Sequence, residues 1–247
     1  MKTILITGCS SGFGLEIARH FLARDWKVVA TMRTPQADVL PPSDRLRLLA
    51  LDVTDPQSIR HAIEAAGPID VLVNNAGYGA ASPVEFVPMA TVREMFETNT
   101  IGTIAVTQAV LPQFRERRTG VVVNVTSSLT LKPMPLNAAY RASKAAVNAF
   151  TESLALELEA FGVRARLVLP GSSPDTRFRQ NAHRVGLDHE AYADLVKKTF
   201  APLLDASAPI TRLQDVAEAV WRAATDPSSP MRIPAGADAE AWAAEAA

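Results

Sequence analysis

Six short aliphatic runs alternate with helical patterns along the chain, and this alternation constrains the fold more than any other feature. The runs cover residues 4–6, 27–31, 46–51, 71–73, 121–125 and 163–169 and are rich in Val, Ile and Leu. Apolar residues recur at helical spacing near 12–24, 55–65, 89–117 and 138–160. Strands separated by helices return to the same end of a sheet, so the strands pair in parallel and helices cover both faces. No linker, composition shift or repeat divides the 247 residues, which predicts one domain over 1–247. Residues 172–209 lack a strand pattern and carry Pro174, Pro202 and Pro209. A long insertion after a strand reads as a substrate lid. The alanine-rich tail, 235–247 with Trp242, reads as a terminal segment that packs or frays.

The charge balance excludes several functions. Lys and Arg number 25 and Asp and Glu 26, so a net charge of −1 gives no general attraction to nucleic acid or an acidic membrane. The single cysteine, Cys9, rules out an intrachain disulfide and fits a reducing compartment. The first apolar run is too short for a secretory signal, and no run approaches the roughly 18 apolar residues of a membrane helix. A cytoplasmic protein is expected. The four histidines show no metal-ligand spacing, so no metal is expected.

Chemistry enters at the first strand end. The stretch TGCSSGFG, residues 7–14, joins Ile4-Leu5-Ile6 to a helix whose Leu15, Ala18, Phe21 and Leu22 share one face. Such a turn presents backbone N–H groups to a phosphate at a helix N-terminus. Gly8 allows the tight exit, Gly12 lets backbone approach a pyrophosphate, and Gly14 lets the helix pack close. Behind the turn, in order, stand Asp52, Asn74-Asn75-Ala76-Gly77, Asn99, Ser127, Tyr140 and Lys144. Tyr140 and Lys144, at i and i+4, share a helix face.

This ordered set resembles the classical short-chain dehydrogenase/reductase family over essentially the whole chain. The matching pieces are TGCSSGFG, LDV (51–53), NNAG (74–77), Asn99, Ser127, YRASK (140–144) and Pro170-Gly171. The resemblance implies an α/β, Rossmann-type, doubly wound sheet of about seven parallel strands that binds a nicotinamide dinucleotide. It implies a catalytic group of Asn99, Ser127, Tyr140 and Lys144. Cofactor contacts would come from Gly8, Ser10, Ser11, Gly12, Phe13, Gly14, Arg33, Asp52, Val53, Asn75, Ala76, Gly77, Tyr140, Lys144, Pro170 and Gly171. The family's usual threonine five residues past the proline is replaced by Asp175. Either Thr176, one residue later, takes that role or backbone groups do.

The physical chemistry of these residue types agrees with the implied roles. A phenol of reference pKa about 10 must fall toward neutrality for efficient acid–base work, and the Lys144 ammonium would favour phenolate. Ser127 would hydrogen-bond the carbonyl oxygen as charge develops on it. Asn99 would hold a water behind Lys144. NADP(H) is expected over NAD(H), because the second strand ends Thr31-Met32-Arg33 with no carboxylate to meet a ribose hydroxyl. Met32 takes the usual acidic position, and the guanidinium of Arg33 suits a 2′-phosphate.

TGCSSGFG followed by VVATMR is similar to the branch acting on hydroxysteroids, retinoids and other lipophilic alcohols and carbonyls. Tyr78, Leu129, Leu131, Met134, Leu136, Phe178 and Leu187 are expected to line an apolar substrate pocket. In that family the helices near 101–117 and 138–160 pair into homodimers or homotetramers. Ile101, Ile104, Val106, Val110, Ala145, Phe150, Leu154 and Leu158 supply apolar residues for this. A non-catalytic dinucleotide-binding sensor or scaffold is the competing reading, and the intact Ser127, Tyr140 and Lys144 argue against it. Another reaction on the same fold, such as epimerisation or dehydration, also stands open.

Overall fold

A computed structural model describes residues 1–205 and 207–246, with the backbone alone for 179, 203 and 204. The chain runs β1 (Thr3–Ile6), α1 (Gly12–Leu22), β2 (Lys27–Met32), β3 (Leu46–Ala50), α2 (Pro56–Ala66), β4 (Val71–Asn74) and β5 (Ala80–Ala81). It continues through α3 (Met89–Phe96), α4 (Gly102–Arg117), β6 (Gly120–Val125), α5 (Ala138–Leu158) and β7 (Val163–Pro170). The remainder is α6 (Phe178–Asn181), β8 (His183–Arg184), α7 (Ala193–Phe200), α8 (Leu213–Thr225), β9 (Arg232–Ala235) and α9 (Ala237–Glu245).

Seven strands form one parallel sheet in the order β3-β2-β1-β4-β6-β7-β9. The order reverses between β1 and β4, and an open α/β sheet binds ligands in the crevice at the carboxyl ends flanking that point. Alternation along the strands divides the core. Ile4, Ile6, Val71, Val73, Val121 and Val123 meet α1 and α8, whereas Leu5, Leu72 and Val122 meet α2, α4 and α5. All six residues of β6 are buried, as expected for a strand covered on both faces. Among the described residues no helix is long and apolar enough to cross a membrane.

Several expectations need correction. The pattern over 89–117 is two helices joined by a π-helical turn, Glu97–Ile101. Segment 172–209 does contain a strand, since β8 pairs in parallel with β5 through Ala80↔His183 and Ala81↔Arg184. Two residues are too few to leave a periodic pattern. For the tail the structure takes the packed alternative of the expectation, since α9 carries a buried Asp238 and Ala239. Val106, Val110, Leu154 and Leu158 lie in the core rather than on an outer face, because α4 and α5 turn these positions toward the sheet. The large apolar side chains those stretches expose are Ile101 at 49% and Leu156 at 70%.

Candidate active site

A cleft of ≈ 1820 Å³ runs along the carboxyl ends of the strands. Its floor at β1 is the glycine turn. Gly8 has φ +76°, and a Cβ there would lie 2.9 Å from Ala76 Cα. At Gly14 a Cβ would meet Gly8 O at 2.3 Å, so only glycine lets α1 start this close to the turn. Ser11 precedes α1 in extended conformation, its side chain makes no capping bond, and the first turn holds no acidic residue. The helix therefore offers its N–H groups and positive dipole end to the cleft, which Ser10, Ser11, Gly12 and Phe13 line. Asn75 fastens the turn to the end of β4: its Nδ2 donates to Thr7 O at 3.0 Å and to Gly8 O at 3.1 Å. Thr7 Oγ1 accepts in return from Asn75 N and Ala76 N, both at 3.0 Å.

The groups proposed for chemistry sit side by side because α5 buries one stripe at helical spacing, Tyr140, Ser143, Lys144, Val147, Asn148 and Thr151. Lys144 Nζ donates to Val125 O at 3.1 Å, at the end of β6. Asn99 lies in the π-helical turn, a feature common at functional sites. Its side chain is anchored by three bonds: Oδ1 accepts from Tyr78 N at 3.0 Å, and Nδ2 donates to Tyr78 O at 2.9 Å and Ser143 Oγ at 3.1 Å. A Cβ on Gly77 would lie 2.8 Å from Asn99 Oδ1 and 3.2 Å from Lys144 Nζ, so both converge on this glycine. Ser127 follows β6 in extended conformation, accepts from Leu129 N at 3.2 Å, and its hydroxyl lies close enough to Tyr140 to favour phenolate.

The electrostatics differ from expectation. Burial pushes the Tyr140 phenol up to about 12, and the nearby Ser127 hydroxyl opposes this only in part. Burial also lowers Lys144 to about 8. In the protein alone, desolvation outweighs any pull of the ammonium on the phenol. Cys9 is fully buried and its thiol is pushed up to about 12, which makes it inert filler.

At the other end of the cleft, Met32 is 3% exposed and packs against the core, and it also contributes to the cleft wall, so no carboxylate stands at this strand end. Arg33 follows it, exposed and lining the cleft, close enough to Asp52 to favour that carboxylate's charge. Asp52 is lowered first by Thr54, whose N and Oγ1 donate to Oδ1 at 2.9 and 2.7 Å. It does not cap α2; Asp55 does, accepting from Gln57 N at 2.8 Å. Val53 also lines the cleft and packs against Gly102.

After β7, Pro170 and Gly171 line the cleft, and the loop bends back over the glycine turn. Thr176 packs against it: a Cβ on Gly12 would lie 3.4 Å from Thr176 Cγ2. Asp175 is exposed and does not line the cleft. Of the expected apolar lining, Tyr78, Leu129, Met134, Phe178 and Leu187 are present. Leu131 and Leu136 are not; Leu136 is buried at a left-handed φ of 65° with its carbonyl accepting from Ser82 N. Arg93, Glu94, Glu97 and Arg177 also line the cleft, so its wall is apolar only in part. The sequence reading missed Thr126, Ser173, Asp238 and Trp242, which all line the cleft. Thr126 Oγ1 and Ser173 Oγ are buried without a protein partner. The glycine cradle at the uncapped N-terminus of α1 fits a phosphate-bearing ligand.

Known proteins share this arrangement. The family described as short chain dehydrogenase matches residues 2–184. The uncharacterized oxidoreductase YusZ of Bacillus subtilis (strain 168) is 38% identical over 238 residues, 91% of this chain and 85% of that protein. A short-chain dehydrogenase from Streptomyces avermitilis superposes with a TM-score of 0.85 at 31% identity, covering 99% of this chain and 91% of the other. The closed form of a serine dehydrogenase complexed with NADP+ gives 0.79 at 28% identity, over 95% and 94% of the two chains. With its parallel sheet, glycine turn and Ser127-Tyr140-Lys144 cluster in one cleft, the chain belongs to the short-chain dehydrogenase/reductase family of oxidoreductases.

Proposed function

We propose that the protein transfers a hydride between NADP(H) and a carbonyl or secondary alcohol of a lipophilic substrate. The observation that carries the reading is the meeting of Ser127, Tyr140 and Lys144 at the wall of the cleft that also holds the glycine cradle. The bound nicotinamide supplies or accepts the hydride. Tyr140 gives its phenolic proton to the substrate oxygen in reduction and takes one in oxidation. Ser127, beside the Tyr140 phenol, orients that oxygen. Lys144, held by Val125 O, stands one helical turn behind the phenol to return protons. Asn99 fixes the Tyr78 backbone and the Ser143 hydroxyl, and so the wall behind Lys144. Gly8, Ser10, Ser11, Gly12, Phe13 and Gly14 would hold the pyrophosphate end. Asp52, Val53, Asn75, Ala76 and Gly77 would hold the adenosine side and centre, and Pro170, Gly171 and Thr176 would close over the far end.

Arg33 supports NADP(H), because its guanidinium is exposed in the cleft where a 2′-phosphate would sit. The NADP+ complex of the serine dehydrogenase relative agrees with this choice. Segment 172–209 would act as a lid, with Phe178 resting 5.3 Å, ring to ring, from Tyr140. Tyr78, Leu129, Met134, Phe178 and Leu187 in the cleft wall support a lipophilic substrate, and exposed Ile101 and Leu156 support a homodimer or homotetramer. The test is kcat/KM for NADPH against NADH with a panel of ketones. The wild type should favour NADPH at least about tenfold, equal to 1.4 kcal/mol, and Arg33→Ala should remove most of that preference. Met32→Asp, in the cleft wall, should reverse or abolish the preference, with a thermal unfolding curve run beside it because Met32 also packs against the core. A wild type that prefers NADH would overturn the cofactor assignment, and small charged keto acids outrunning apolar ketones would overturn the substrate class.

A further inference from the structure

The C-terminal helix reaches the cleft through one carboxylate. Asp238, in the first turn of α9, is 6% exposed. Its Oδ2 accepts from Ser172 N at 2.6 Å, and its Oδ1 accepts from Thr211 Oγ1 at 2.7 Å. Thr211 Oγ1 itself accepts from Gly171 N at 2.9 Å, and Thr211 N donates to Ser172 O at 2.9 Å. The Thr211 hydroxyl has one proton and a second acceptor in reach, Ala235 O at 2.8 Å. The charged oxygen is the stronger acceptor. A Cβ on Gly171 would fall 2.1 Å from Asp238 Oδ2, so the carboxylate rests directly on the loop backbone. That backbone, from Pro170 to Ser173, lines the cleft.

Burying a carboxylate is costly unless donors surround it. Here the donors belong to the loop after β7 and to Thr211, and the start of α9 adds its dipole. A mere helix cap would bond its own first turn. Instead these bonds span 66 and 27 residues of sequence. Each carboxylate oxygen has a donor from the protein, so Asp238 acts through the loop and is a positioning residue.

We infer that Asp238, with Thr211, sets the Gly171-Ser172 backbone in the position that binds the nicotinamide cofactor. The inference rests on the NADP(H) reading above. It is tested by measuring the Kd of NADP+ calorimetrically on the full chain, with a thermal unfolding curve for each variant. Asp238→Asn should unfold cooperatively yet bind NADP+ at least tenfold more weakly, because the neutral amide gives up the charge-assisted bonds to Ser172 N and Thr211 and leaves the Thr211 hydroxyl to turn its proton to Ala235 O. Thr211→Val should weaken binding in the same direction, and Thr211→Ser, which keeps the hydroxyl, should bind as the wild type does. The KM for NADPH should rise more than kcat falls. A folded Asp238→Asn that binds NADP+ within twofold of the wild type overturns the inference and leaves Asp238 an anchor of α9. If Asp238→Asn does not fold, Thr211→Val decides by the same criterion. A wild type that binds no NADP+ removes the cofactor reading and this inference together, whereas equal affinities remove this inference alone.

Discussion

Burial moves Tyr140 and Lys144 in opposite directions, and the stability of the protein should record both. Lys144 loses its proton near 8 when folded and near 10.5 when unfolded. Between those values the unfolded chain binds more protons, so stability rises with pH. Tyr140 reverses the trend from 10 upward, since the folded chain keeps to about 12 a proton that the unfolded chain gives up. The Lys144 gain between pH 8 and 10 is on the order of 2 kcal/mol. Urea unfolding across that range should show a rise in the wild type that Lys144→Met lacks. Parallel slopes for the two chains would contradict the burial account. Tyr140 and Lys144 were legible because their spacing places them on one helix face whatever surrounds them. Met32 is both buried against the core and part of the cleft wall, a double role that a strand pattern alone does not show and that its pairing with Ala50 of β3 sets. Asp238 was invisible because its partners are distant in sequence.

At the scale of elements, α1 and α8 hold one face of the sheet through an aromatic cluster. Phe21 is fully buried, with its ring centroid 5.1 Å from both Trp26 and Trp221. Phe21→Ala should cost about 3–5 kcal/mol of stability. It lies nine residues into α1, about 13 Å along the axis from Gly12, so NADP+ affinity of the folded variant should stay within about twofold. Urea unfolding and NADP+ titration check the two parts separately. A loss below about 1 kcal/mol would mean the cluster does not carry this contact. The six strand runs and the helices between them could be read because β-branched runs and helical stripes contrast with their flanks. The seventh strand and α8 escaped. β9 is four residues long and includes Arg232 and Pro234, tolerable only because it is an edge strand. The buried face of α8 is mostly alanine, Ala217, Ala219, Ala223 and Ala224 around Val216 and Val220, and alanine gives weak contrast.

The whole molecule presents Leu156, near the end of α5, and Ile101, in the π-helical turn, to solvent. The residues first expected to drive assembly are mostly committed to the core, so the remaining exposed apolar surface carries the expectation. Sedimentation at micromolar concentration should show a dimer or tetramer, and Leu156→Lys should shift it toward the monomer. A wild type seen only at 26.5 kDa would contradict assembly.

The central claim is that this cleft moves a proton through Tyr140 while a hydride moves to the substrate. Tyr140→Phe keeps the ring against Phe178 and removes only the phenolic proton. The decisive measurement is kcat/KM of purified Tyr140→Phe with NADPH and an apolar ketone that the wild type reduces, run beside NADP+ affinity. Turnover should fall by about 10²–10⁴-fold while NADP+ affinity stays within about threefold of the wild type. Turnover within tenfold of the wild type would contradict the account.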